Sequence, residues 1–267
     1  MHHLAERYLR KSALPTLFCP GCGNGQILNA AVRAIDALGI GKDVAAVSGI
    51  GCSSWIPVYI DIDVLHTLHG RAVAFAQGLK LSRPEKKILV FTGDGDCLGI
   101  GGNHLIHAAR RNIDITVIMA NNLIYGMTGG QKAPTTPMGS TTKTSPYGNT
   151  ERPLDAAGLA AAAGATFVAR WTTAHPVQMQ NSIQEAIEHR GFSFVEIMTQ
   201  CPVQAGRHIF GKTDPWEIME WYKAAAIPAP GKSGPKEGGI FVGELYRGCE
   251  EEFTDLLAKE RDQACFK

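Results

Sequence analysis

The stretch Lys86-Lys87-Ile88-Leu89-Val90-Phe91-Thr92-Gly93-Asp94-Gly95-Asp96, together with Ile115-Thr116-Val117-Ile118-Met119-Ala120-Asn121-Asn122, decides how this chain is read. Each is a short apolar run that ends abruptly in polar turn residues, the pattern of a buried strand. Between them, His104 to Arg111 carries a helical pattern. Open α/β sheets place their ligands outside the carboxyl ends of the strands, and both polar turns fall there. An acid in a glycine turn, Asp94, and a carboxamide at the next strand end, Asn122, can converge on one hard cation that also holds a diphosphate. Magnesium suits that arrangement, because it takes few protein oxygens and completes its octahedron with phosphate and water. Either turn alone is an ordinary strand exit; the two at this spacing make a site.

Outward from this unit the order is strand then helix, repeated. The apolar spacing predicts helices over residues 25–38, 72–81, 154–163 and 176–189, and strands over 44–47, 166–169 and 192–198. Such alternation predicts an α/β fold with a doubly wound parallel sheet. The segment 121–150 is rich in Gly, Thr, Ser and Pro. A stretch of that length without periodicity is acceptable only if it is functional, and a bound cofactor would order it. Leu98-Gly99-Ile100-Gly101-Gly102-Asn103 leads into the helix at His104 and is expected to aim N–H groups at the diphosphate. The main domain is expected over 1–224. Residues 225–267 read as a C-terminal linker and arm, with a turn-rich linker at 227–239 and a short charged helix at 250–259; plain surface packing of this tail is the alternative.

The chain has 267 residues, 45% of them hydrophobic, and a net charge of +1. That permits a full core. It offers no basic stripe for nucleic acid, and no charge-free apolar run reaches the length of a membrane span. A cytoplasmic location is expected. Seven cysteines without a signal peptide argue for a reducing compartment rather than a disulfide framework.

The pair Cys19-Pro20-Gly21-Cys22 can aim two thiolates at one centre, but a tetrahedral zinc or an iron-sulfur cluster wants four. Cys52, in Gly49-Ile50-Gly51-Cys52-Ser53-Ser54, and Cys201, in Gln200-Cys201-Pro202, both sit at strand exits that the loop can meet. Cys97, Cys249 and Cys265 read as structural, since free cysteine is commonly buried. Spacing alone leaves zinc and iron open.

The Gly-Asp-Gly to Asn-Asn arrangement resembles the thiamine diphosphate signature. With Ile124-Tyr125-Gly126-Met127-Thr128-Gly129-Gly130-Gln131 added, the chain is similar to the β subunits of 2-oxoacid:ferredoxin oxidoreductases from Leu17 to about Gly211. The resemblance implies the diphosphate-binding module of thiamine enzymes. It implies thiamine diphosphate on Ile50, Gly51, Cys52, Ser53, His69, Gly95, Asp96, Gly126 and Met127, with Mg2+ on Asp94, Asn122 and the Ile124 carbonyl. It selects Cys19, Cys22, Cys52 and Cys201 for one [4Fe-4S] cluster. The activity implied is CoA-dependent oxidative decarboxylation of a 2-oxoacid with electrons passed to ferredoxin. The glutamate that protonates the aminopyrimidine is absent, so by resemblance it comes from an α subunit; γ and δ subunits are further partners in view. His66-Thr67-Leu68-His69-Gly70-Arg71 and Ser53-Ser54-Trp55-Ile56-Pro57 look most like the 2-oxoglutarate enzymes, with His66 and Arg71 as candidate substrate neighbours and pyruvate or a branched 2-oxoacid as the alternative. His104 and His107 read as structural. Two other classes compete: a non-oxidative thiamine decarboxylase or lyase, which has no need of four cysteines, and a zinc-stapled binding subunit, which has no need of Asp94 and Asn122.

Overall fold

The computed structural model describes residues 2–229 and 239–265. Its helices are α1 (His2–Tyr8), α2 (Asn24–Leu38), α3 (Ala72–Ser82), α4 (Gly102–Arg111), α5 (Ala156–Ala162), α6 (Pro176–Glu188), α7 (Pro215–Ala225) and α8 (Phe253–Cys265). The strands are β1 (Val44–Ser48), β2 (Asp63–His66), β3 (Lys87–Gly93), β4 (Thr116–Asn121), β5 (Ile124–Tyr125), β6 (Gln131–Lys132), β7 (Phe167–Thr172), β8 (Ser193–Met198), β9 (Ala226–Pro228) and β10 (Ile240–Arg247). An eight-stranded sheet has the order β2-β1-β3-β4-β8-β7-β10-β9, and β5 pairs with β6 in a small separate ribbon. From β2 through β7 every pairing is parallel.

The sheet is covered on both faces, which is why its central strands read as continuous apolar runs. Alternate residues serve opposite faces. Leu89 and Phe91 join α2 and α6 in one core, while Ile88 and Val90 join α3, α4 and α5 in the other. The chain leaves β1 toward β2 and returns on the far side of β1 to lay down β3. The sheet order therefore reverses between β1 and β3, and a crevice opens there at the carboxyl ends.

Two strands differ from expectation. β2 is an edge strand with Asp63, Leu65 and His66 exposed, so it carries no burial pattern to read. β10 pairs antiparallel with β7 through a register shift between Glu244 and Tyr246, with Gly243 at φ +127°. The irregularity breaks the period-2 signal, and a segment expected to be an arm instead extends the sheet. The greater part of the expected linker, residues 230–238, lies outside the described residues.

The last helix is fastened by charge. The Glu252 carboxylate, 3% exposed, accepts the backbone N–H groups of Thr254 and Asp255 at the start of α8 and that of Asp114 at 2.9 Å. Asp114 in turn accepts from Lys80 Nζ at 2.7 Å and from Arg190 at 3.0 Å. Lys80 is 1% exposed, Arg190 is largely open to solvent. This network lies before the first residue of β4, at the end of the sheet away from the crevice. No helix among the described residues is long and apolar enough to cross a membrane.

Removing one partner of a buried pair leaves a buried charge uncompensated, at a cost of about 3–5 kcal/mol, whereas an exposed partner contributes about 1 kcal/mol or less. Asp114→Ala is therefore expected to destabilise the protein by about 3–5 kcal/mol in urea unfolding and Arg190→Ala by about 1 kcal/mol. Equal losses would show that the Lys80 pair does not anchor the tail.

Candidate active site and cysteine cage

Three strand exits build the crevice. Gly49 to Ser53 follow β1, Asp94 to Asp96 follow β3, and Asn122 to Ile124 follow β4. They surround a cavity of about 280 Å³. All twelve residues that the sequence proposed for the cofactor and its metal line it: Ile50, Gly51, Cys52, Ser53, His69, Asp94, Gly95, Asp96, Asn122, Ile124, Gly126 and Met127.

The two asparagines divide the work. Asn121 is buried, donates to Glu196 Oε1 at 2.7 Å and accepts the Leu123 N–H at 3.1 Å. Leu123 sits at φ +67°, a conformation that costs free energy in a non-glycine residue and is held here by its surroundings; Thr136 donates to its carbonyl at 2.6 Å. That fixed turn leaves Asn122 facing the cavity, its Oδ1 accepting the Ile124 N–H at 3.2 Å. The loop after β4 is thus ordered by the protein itself. Asn149 donates to the Thr136 carbonyl at 2.8 Å, and Thr135 donates to Asp94.

The two aspartates also differ. Asp96 Oδ1 accepts N–H groups from Gly70 at 2.7 Å and Ile50 at 3.2 Å, its Oδ2 accepts the Thr92 hydroxyl at 2.7 Å, and His69 Nδ1 lies 2.7 Å from Oδ1. Its carboxylate is consumed in tying three loops together. Asp94 is buried, among the described residues no basic side chain pairs with it, and burial raises its pKa to about 7. A buried carboxylate without a cation fits a metal that arrives with a ligand, and the carbonyl and carboxamide beside it are the hard oxygens magnesium takes.

The helical N–H groups do not come from Leu98 to Asn103 as the sequence suggested. A helical turn starts at Gly95 itself and runs to Ile100, with Cys97 and Leu98 packed in the core, so the residues that reach the cavity are Gly95 and Asp96. Gly95 is obligatory: a Cβ there would lie 2.2 Å from the ring of Tyr125, whose hydroxyl donates to the Gly95 carbonyl at 3.0 Å. His66 and Arg71 fall outside the lining. His66 pairs with the Ser48 hydroxyl at 3.0 Å, and Arg71 lies at the surface against His104, 2.6 Å away. Burial and the Arg71 charge hold the His104 pKa below its ordinary value.

Behind the first cavity lies a second, of about 330 Å³, lined by Cys19, Cys22, Cys52 and Cys201. The loop carrying Cys19 and Cys22 reaches the β8 exit through the Gly23 N–H, which donates to the Gln200 carbonyl at 3.1 Å. Only glycine allows that approach, since a Cβ would lie 1.9 Å from Thr199 Oγ1. Burial, reinforced by the neighbouring thiols, pushes Cys22 up to about 12 and Cys52 up to about 11. A cationic centre is needed to hold them as thiolates. Zinc would draw four sulfurs to about 2.3 Å from one point. The thiols form a cage, and a cluster of several irons, ligated at separate iron atoms, fits it. Cys97 is buried in the core and Cys249 is exposed, both apart from the cage. Sequence reasoning missed Asn24, Tyr125 and Thr135; the first follows the Cys-x-x-Cys-Gly run directly, which was the available signal.

In the metal-free protein the folded state holds the Asp94 proton up to about pH 7, whereas an unfolded aspartate releases it near 3.8. This group's contribution to stability is therefore full below about pH 4 and is lost as pH rises to about 7. Asp94→Asn is expected to flatten that decline and to raise the melting temperature of the metal-free protein at pH 8, while abolishing Mg2+-dependent retention of thiamine diphosphate. A lower melting temperature for the variant would contradict the buried-charge account.

The family described as thiamine pyrophosphate enzyme, C-terminal TPP binding domain matches residues 49–197. The 2-oxoglutarate synthase subunit KorB of Methanocaldococcus jannaschii is 49% identical over 262 residues, covering 96% of this chain and 97% of that one. The subunit of the same name from Archaeoglobus fulgidus is 57% identical over 259 residues, covering 95% and 93%. Among solved structures, the 2-oxoglutarate:ferredoxin oxidoreductase from Magnetococcus marinus, described with 2-oxoglutarate, coenzyme A and succinyl-CoA bound, superposes with a TM-score of 0.88 at 36% identity, over 97% of this chain and 90% of that one. With a family model over more than half of the chain and relatives at 49% and 57% identity over nearly their full length, this chain belongs to the family of thiamine diphosphate-binding β subunits of 2-oxoacid:ferredoxin oxidoreductases.

Proposed function

We propose that this chain is the β subunit of a 2-oxoglutarate:ferredoxin oxidoreductase, which with an α subunit converts 2-oxoglutarate, coenzyme A and oxidised ferredoxin into succinyl-CoA, carbon dioxide and reduced ferredoxin. The observation that carries the reading is that the two cavities share a wall: Asn24, Cys52, Asn122, Gly126 and Met127 line both. A non-oxidative thiamine enzyme has no use for the second cavity, and a zinc-stapled binding subunit has none for the first. When bound, thiamine diphosphate supplies a carbanion-stabilising electron sink, and an iron-sulfur cluster supplies a one-electron exit.

The chain's own residues prepare the place. Asp94, Asn122 and the Ile124 carbonyl would hold Mg2+ and through it the diphosphate. Cys19, Cys22, Cys52 and Cys201 would hold a [4Fe-4S] cluster. Ile50, Tyr125 and Met127 line the cavity with apolar surface, which excludes water from the reacting carbon. The acids in the lining are Asp94 and Asp96; the first is assigned to metal and the second is spent on hydrogen bonds. No carboxylate in the lining remains to protonate the aminopyrimidine, which supports its supply by an α subunit. The free thiols of the described residues fit the reducing cytoplasm.

The purified chain is expected to show no 2-oxoacid-dependent viologen reduction until the α subunit is added. The complex should then prefer 2-oxoglutarate over pyruvate by at least about tenfold in kcat/KM, since one added charge-assisted contact contributes about 1.5–3 kcal/mol. Activity of the isolated chain would overturn the divided site. A pyruvate preference would overturn the substrate while leaving the family in place.

Cluster assembly gives a separate test. Cys201→Ser is expected to lose iron and acid-labile sulfide from anaerobically purified protein, and Cys249→Ser to retain both. Equal iron in the two variants would remove Cys201 from the ligand set.

A further inference from the structure

Asn24 is 3% exposed, and its Oδ1 is a buried oxygen without a hydrogen-bond partner. Such atoms cost free energy and are rare in folded proteins; among the described residues the others are hydroxyls, Ser193 Oγ and Thr199 Oγ1. What sets Asn24 apart is its place. It is the first residue of α2, it follows the cysteine loop directly, and it lines both cavities. Its backbone N–H already hydrogen-bonds the Cys22 thiol.

The donor and acceptor inventory of a carboxamide then sets its orientation. A cluster held by four thiolates offers only acceptors, so on that side Asn24 Nδ2 can find a partner and Oδ1 cannot. The cofactor side offers a donor, the exocyclic amine of an aminopyrimidine. An asparagine joins these two demands because it carries two donor hydrogens and one acceptor oxygen on one rigid plane.

On the reading that the two cavities hold thiamine diphosphate and an iron-sulfur cluster, we propose that Asn24 is a positioning residue shared by both, its Oδ1 accepting from the cofactor and its Nδ2 donating toward a cluster sulfur. A hydrogen bond to sulfur stabilises the more negative, reduced cluster and raises its potential. The same side chain thereby ties the binding of one group to the redox poise of the other. Position matters for this role as well as chemistry, since the residue is held at a helix start and cannot swing away.

The test uses the anaerobically purified αβ complex and two readouts independent of turnover: the midpoint potential of the cluster by EPR-monitored titration, and the Kd for thiamine diphosphate with Mg2+ by equilibrium dialysis. Asn24→Ala is expected to shift the potential to a more negative value and to raise the Kd about tenfold. Should the alanine variant lose iron, Asn24→Leu, which nearly keeps the side-chain volume and removes donor and acceptor together, carries the same comparison. Ser53→Ala, which alters a residue lining the cofactor cavity alone, should raise the Kd and leave the potential unchanged. Iron content preserved with both quantities unchanged, or with only one of them moved, in the Asn24 variants would overturn the shared role. Wild-type complex without iron, or without affinity for the cofactor, would overturn instead the functional reading on which it rests.

Discussion

A carboxylate buried at the end of β3 with no cation to meet it is the constraint around which this molecule is arranged. Asp94 cannot be satisfied by its neighbours alone: the Thr135 hydroxyl and the adjacent backbone N–H groups soften its burial without reversing it. Folding that places a charge there stores a demand for a positive centre. The β4 exit borders the same space, with Asn121 locked to Glu196, and Asn122 and Ile124 in the lining and joined by the Ile124 N–H to Asn122 Oδ1 hydrogen bond. Glu196 is itself held by Arg170 at 2.7 Å, so the geometry of the loop after β4 is fixed from within the sheet. Stability given up at the site is recovered away from it, where a buried ion network clamps α8 to the opposite end.

The second arrangement follows from the first by proximity. Gly23 brings the cysteine loop against the β8 exit, and a Cβ on Gly126 would lie 3.5 Å from Asn122 Nδ2, 3.6 Å from Cys201 Sγ and 3.9 Å from Cys52 Sγ. The metal loop and the sulfur cage therefore meet at one bare backbone position. The two cavities share the β1 and β4 exits, through Cys52 and Asn122, while the β3 exit serves the first alone and the β8 exit the second. The acids in the first lining are Asp94 and Asp96, and the latter is spent on hydrogen bonds to Gly70, Ile50 and Thr92.

The central strands and the two turns holding Asp94 and Asn122 were legible in local pattern, whereas Ile50, His69, Gly126 and Met127 entered through the family resemblance. Apolar runs that end in Gly93-Asp94-Gly95 and Asn121-Asn122 mark strand and ligand at once. Three features were not legible, for physical reasons. β2 is an exposed edge with no burial to impose a pattern. β10 is interrupted by a bulge at Glu244 to Tyr246. The helical turn at Gly95 begins inside the glycine signature, where sequence suggested an open turn. Within the site, the difference between Asp94 and Asp96 is invisible in a Gly-Asp-Gly-Asp string, because it depends on which carboxylate the distant Gly70, Ile50 and Thr92 reach. Strand-exit positions already made Cys52 and Cys201 candidates and the family resemblance selected them; the tertiary fold puts Cys201 in one lining with Cys22.

Two charged centres on either side of one wall are located most directly by anomalous scattering. Crystals of the αβ complex, loaded with thiamine diphosphate and with Mn2+ in place of Mg2+, would be measured at the iron and manganese edges. The account predicts manganese on Asp94 and Asn122 and a compact group of irons within Cys19, Cys22, Cys52 and Cys201, with Asn24 between them. Zinc in the cage, iron elsewhere, or manganese away from Asp94 would contradict it.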